Sequence, residues 1–78
     1  MSHIFLDARN LLCPAPVIRV QHRIGSLTKG DLLEVWCTDP GTMLDIPSWC
    51  RIHGHQIVSK CETPDGIRIV IKVGFASP

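Results

Sequence analysis

Apolar and polar positions along the chain switch between strand and helix periods four times, and the stretches between switches mark its elements. Ile4, Phe5 and Leu6 form a short apolar run, which predicts a first strand over His3 to Leu6. Asp7 to Asn10 breaks it, and Asn10 suits a left-handed turn that sends the chain back across the strand end. Val17, Val20, Ile24 and Leu27 recur at spacings of three and four, with Ile18 beside them and Arg19, Gln21, His22 and Arg23 opposite. That is an amphipathic helix, ending at Gly25 or near Gly30. Pro14 and Pro16 fit its entrance, where a missing N–H costs nothing. Regular helix is expected from Pro16, because the residue before a proline avoids helical angles.

Leu32 to Cys37 alternates, with Leu33, Val35 and Cys37 on one side and Leu32, Glu34 and Trp36 on the other. A helix between them predicts that the first two strands run parallel. Asp39-Pro40 opens a second helical segment, and Pro47 predicts a kink or a fresh start at Asp45, continuing to Gly54. Gln56 to Glu62 and Ile67 to Val73 flank Thr63-Pro64-Asp65-Gly66, a hairpin signal. The order βαβαββ predicts an α+β fold, a two-layer sandwich with a four-stranded mixed sheet and two helices on one face. One domain over residues 1–78 is expected, with its core at about 3–73 and a tail from Gly74 to Pro78. Helices cover only one sheet face, so an outward Trp36 would mark a dimer or docking surface. Trp49 is a second candidate anchor.

The chain has 78 residues, a hydrophobic fraction of 45% and a mean hydropathy of +0.19, a composition that favours a compact core over disorder. A net charge of +1 gives no field to gather nucleic acid, so direct nucleic-acid contact is not expected. No run approaches the roughly 20 apolar residues of a membrane span, and no leader-like segment opens the chain. A cytoplasmic location is therefore expected, with no membrane insertion. There the four cysteines, Cys13, Cys37, Cys50 and Cys61, should be free thiols.

Cys13 stands immediately before the first helix, where free N–H groups and the helix dipole favour an anion. Its thiolate is expected to be stabilised, with Ala15 and Val17 as donors, and to act as a nucleophile. Pro14 and Pro16 should rigidify the segment, and Asn10 should shape the turn before it. Arg9, Arg19 and Arg23 flank the CPAP entrance as candidate contacts for an acidic partner or the anionic sulfur, and Asp39 is a further candidate contact. Against this stands plain packing, the commonest fate of a lone cysteine. Cys37, Cys50 and Cys61 with His53 and His55 could be read as a metal site, but paired CxxC or HxxxH spacing is absent, so no metal is expected.

The chain resembles the TusA (SirA-like) sulfur-carrier family, whose hallmark is a CPxP box at the first helix. The resemblance rests on Leu6-Asp7-Ala8, Leu11-Leu12-Cys13-Pro14-Ala15-Pro16, Lys29-Gly30-Asp31, Thr38-Asp39-Pro40 and Asp45-Ile46-Pro47-Ser48-Trp49-Cys50. It implies the same βαβαββ sandwich, and a Cys13 that accepts persulfide sulfur from a cysteine desulfurase or a rhodanese. It further implies relay to a downstream acceptor protein, toward 2-thiouridine in tRNA, molybdenum-cofactor assembly or sulfur oxidation. No cofactor is implied, and a monomer or weak dimer is expected. The family usually has glycine where Asn10 stands and often a basic residue where Leu12 stands. The alternative is a thiol redox or regulatory protein acting through Cys13, with Cys50 as a possible second thiol.

Overall fold

The computed structural model describes residues 2–74; the expected tail from Phe75 onward lies outside them. Six elements follow in the predicted order: β1 His3–Ala8, α1 Ala15–Ile24, β2 Leu32–Cys37, α2 Thr42–Ile52, β3 Gln56–Thr63 and β4 Gly66–Lys72. The strands form one mixed sheet in the order β1-β2-β4-β3, with β1 parallel to β2 and β4 antiparallel to both its neighbours. No helix is long and apolar enough to cross a membrane among the described residues.

Period-two alternation decides what β1, β2 and β4 bury. Leu33, Val35 and Cys37 of β2, with Ile67, Ile69 and Ile71 of β4, point toward the helices and are fully or almost fully buried. Val20 and Ile24 of α1 and Ile46 and Cys50 of α2 close the core from above. The first strand departs from expectation. It extends two residues further, to Ala8, and alternates instead of burying a continuous run, so Phe5 is 70% exposed on the open face. At an edge of a sheet covered on one side only, a strand can bury just every second residue. Ile18, expected beside the apolar stripe of α1, is likewise exposed.

Two further boundaries move. α2 runs unbroken from Thr42 to Ile52 with Pro47 inside it, so no new helix starts at Asp45. The proline removes one N–H, yet Ile46 and Cys50 on either side of it are fully buried and hold the helix on the sheet. The hairpin turns on Pro64 and Asp65, and Gly66 has φ 145 with the Cys37 carbonyl 2.7 Å from where a Cβ would stand. Only glycine fits there.

The open face is finished by polar closure. Arg9 and Arg68 lie over the Trp36 ring at 4.4 and 4.6 Å. Glu34 pairs with His3 and Arg68, and His3 stacks on Phe5. Trp36 therefore points away from the helices, half-buried beneath two guanidinium groups, and its buried indole N–H has no partner among the described residues.

Candidate functional site

Three segments meet around Cys13: the turn after β1, the first turn of α1, and the loop that leads from β2 into α2. Asn10 takes φ 65, the left-handed turn expected of it, and its N–H donates to Thr38 Oγ1 at 2.8 Å. The turn thus ties the end of β1 to the end of β2. Leu12 and Cys13 follow on the surface, Leu12 79% exposed, and the Cys13–Pro14 peptide bond is cis. Pro14 caps α1 from outside, and Pro16, fully buried, occupies its second position. Both prolines sit at the entrance, as their chemistry requires.

The electrostatics differ from expectation. Asp39 Oδ2 accepts the Cys13 N–H at 2.8 Å and its Oδ1 accepts the Gly41 N–H at 3.0 Å, which holds this carboxyl below the ordinary carboxylate range. The Cys13 thiol itself donates to Asp45 Oδ2 at 2.6 Å. That hydrogen bond, helped by desolvation and the charges of Asp45 and Asp39, pushes the thiol up to about 11. The structure thus overturns the expected stabilised thiolate. Neither proline can donate, and the Ala15 N–H is spent on the Leu12 carbonyl at 2.9 Å. Carboxylates from α2 and its approach face the sulfur where helix N–H groups were expected.

The predicted arginines do not gather at the sulfur. Arg9 forms a two-pronged pair with Asp7 at 2.9 Å and lies over Trp36 on the open face. Arg23 sits in the last turn of α1, roughly 12 Å along the helix from Ala15, and donates to Ser26. Arg19 is exposed near the middle of α1. Asp39 is at the site, but it binds backbone N–H groups of the chain itself.

The other thiols lie elsewhere. Cys50 is fully buried in the core, and burial pushes it up to about 12. It follows Asp45 by five residues, which places it about 7.5 Å along α2 and roughly 140° around it. Cys37 is buried in β2, and Cys61 is exposed on the edge strand β3. His53 and His55 stack on Trp49 at 4.6 and 5.3 Å. Among the described residues, no three His, Cys, Asp or Glu side chains are grouped to hold a metal ion.

Asp45 is the functional candidate that sequence reasoning missed. In the sequence it stands only as part of a helix start within the DIPxxC segment. Its position in the first turn of α2, four residues after Gly41, is the signal that could have found it. The tertiary packing of two helix entrances supplies the rest.

The protein is a two-layer α/β sandwich that presents the Cys13 thiol between two helix entrances. The model of the family "Sulfurtransferase TusA" matches residues 4–73, and the chain belongs to that family. It is 44% identical over 57 residues to the sulfur carrier protein TusA of Pseudomonas paraeruginosa, covering 73% of this chain and 72% of that one. It is 33% identical over 69 residues to YrkI of Bacillus subtilis (strain 168), covering 88% and 92%. Its fold is similar to the crystal structure of a SirA-like protein from Desulfitobacterium hafniense, with TM-score 0.81 and 24% identity over 92% of this chain and 99% of that one. Membership gives the chain a sulfur-carrier role and implies proteins that give and take the sulfur.

Proposed function

We propose that Cys13 carries the sulfur as a persulfide. A donor protein, a cysteine desulfurase or a rhodanese, presents a persulfide to Cys13. Attack on its outer sulfur breaks the donor's S–S bond and forms a new one on Cys13, and the proton lost by Cys13 ends on the donor's departing thiolate. The exchange is redox-neutral and needs no cofactor. A second exchange of the same kind passes the sulfur to an acceptor protein, for tRNA 2-thiouridine, molybdenum-cofactor assembly or sulfur oxidation.

The observation that carries this reading is the exposed Cys13 held at a fixed point by Asp39, in a chain of the TusA family. Leu12 at 79% and Leu44 at 75% exposure flank Cys13 and Asp45 in sequence, giving a partner apolar surface beside the sulfur. The rival, a redox pair of Cys13 with Cys50, is disfavoured by the full burial of Cys50 on another side of α2.

Incubation with a cysteine desulfurase and cysteine, followed by mass spectrometry, tests the proposal. The wild-type chain should gain the mass of one sulfur atom on Cys13, and Cys13→Ser should gain none. Loss of two hydrogens across Cys13 and Cys50 without sulfur gain would replace carriage with redox switching.

A further inference from the structure

Cys13 faces negative charge from two segments. Asp39 approaches from the loop before α2 and Asp45 from its first turn, while the first turn of α1 contributes uncharged Pro14, Ala15, Pro16 and Val17. Gly41 lies at the centre of this arrangement. A Cβ there would stand 3.5 Å from Asp39 Oδ1, 3.6 Å from Asp45 Oδ2 and 3.7 Å from Cys13 Sγ, so the three groups converge on one small volume. The nearest cation along the chain, Arg9, is engaged by Asp7 and Trp36. A sulfur nucleophile needs the thiolate, yet these surroundings favour the protonated thiol.

We infer that Asp45 is a restraining residue for Cys13: its carboxylate holds the thiol proton and keeps the free protein unreactive, and a docking partner lifts the restraint by pairing a cation with that carboxylate. The inference rests on the carrier reading above and adds the partner's chemistry to it. A donor suited to this site carries a lysine or arginine beside its own reactive sulfur. Once that cation neutralises Asp45, the thiol ionises as the sulfurs meet and its proton passes to the departing thiolate of the donor. Small electrophiles and oxidants bring no such cation, so they meet the protonated form. The raised thiol of Cys13 accords with this geometry.

Asp45 acts through Cys13, so the decisive readout is a pH profile. The rate of Cys13 alkylation by iodoacetamide is measured against pH for wild type, Asp45→Asn and Asp45→Glu, each carrying Cys61→Ser to remove the other exposed thiol. Thermal melts check that each variant is folded. Asp45→Asn should shift the midpoint downward by about one unit and speed alkylation at pH 7 about three- to tenfold, the lower figure allowing for the weaker nucleophilicity of a more acidic thiol. Asp45→Glu should restore the high midpoint. Loading by a desulfurase should not gain in the same proportion in Asp45→Asn, because the partner already removes the restraint. An unchanged midpoint in a folded Asp45→Asn overturns the role of Asp45. Equal acceleration of alkylation and of desulfurase loading overturns the role of the partner's cation. If wild type gains no sulfur from any donor, the carrier reading fails, while the alkylation profile still reports on Asp45.

Discussion

Asn10 shows how one backbone angle sets the site. At φ 65 it turns the chain so that its N–H reaches Thr38 Oγ1 and Cys13, three residues on, reaches Asp39. An asparagine tolerates this region because its short polar side chain can bond locally, whereas a β-branched residue crowds its own carbonyl there. Asn10→Gly should therefore leave denaturant stability nearly unchanged. Asn10→Val should cost about 1–2 kcal/mol by chemical denaturation. Equal stability of the two variants would show that the angle is not what holds the turn. The role of Asn10 was legible in the sequence because it is a local property. The state of the thiol was not, because it depends on Asp45, which lies 32 residues further along the chain.

At the scale of elements, Asp31 joins the start of β2 to the rest of the sheet's end. Its carboxylate, almost fully buried, accepts from the N–H groups of Thr28 and Ser2 and from the Thr28 hydroxyl, while its own carbonyl accepts the Val73 N–H. These bonds to Thr28, then Ser2, hold the carboxyl below its ordinary 3.8. A group depressed in the folded state binds fewer protons folded than unfolded, so its contribution is present above the unfolded value and is lost as pH falls through the folded one. Thermal stability should thus drop as the pH is lowered below about 4, and Asp31→Asn should be less stable at neutral pH with a shallower acid slope. A parallel acid slope in the variant would assign the loss to other carboxylates. The turn Lys29-Gly30-Asp31 was visible in the sequence. What the aspartate grips was not, since Ser2 is 29 residues away. The same limit explains α2, where Pro47 read locally as a break and the buried Ile46 and Cys50 overrule it.

At the scale of the whole molecule, the described residues form one sheet with two differently treated faces. Beneath the helices, β4 is central and Ile69 is fully buried opposite Val35 of β2 and Lys60 of β3. Ile69→Ala should cost about 2–5 kcal/mol through lost burial and the cavity left behind. That is a large share of the roughly 5–15 kcal/mol a small domain possesses, and urea unfolding measures it directly. A cost below about 1 kcal/mol would mean that the core closes around the smaller side chain. On the open face, arginine planes over Trp36 take the place of a third layer. A cleft of about 850 Å³, lined in part by Lys29, Arg51, Ile57 and Lys72, lies at the end of the molecule where α2 finishes and β2 begins, away from Cys13. The sulfur end is thus left to the two helix entrances.

The sequence alone determined the six elements, their order, the two alternating sides of β2 and the cysteine at the mouth of α1, because periodicity, proline and glycine placement act over a few residues. The tertiary structure alone decided the charge around that cysteine. It brought Asp39 and Asp45 onto Cys13 and carried Arg9 to the open face, since electrostatic surroundings are set by distance in space, which local pattern does not encode.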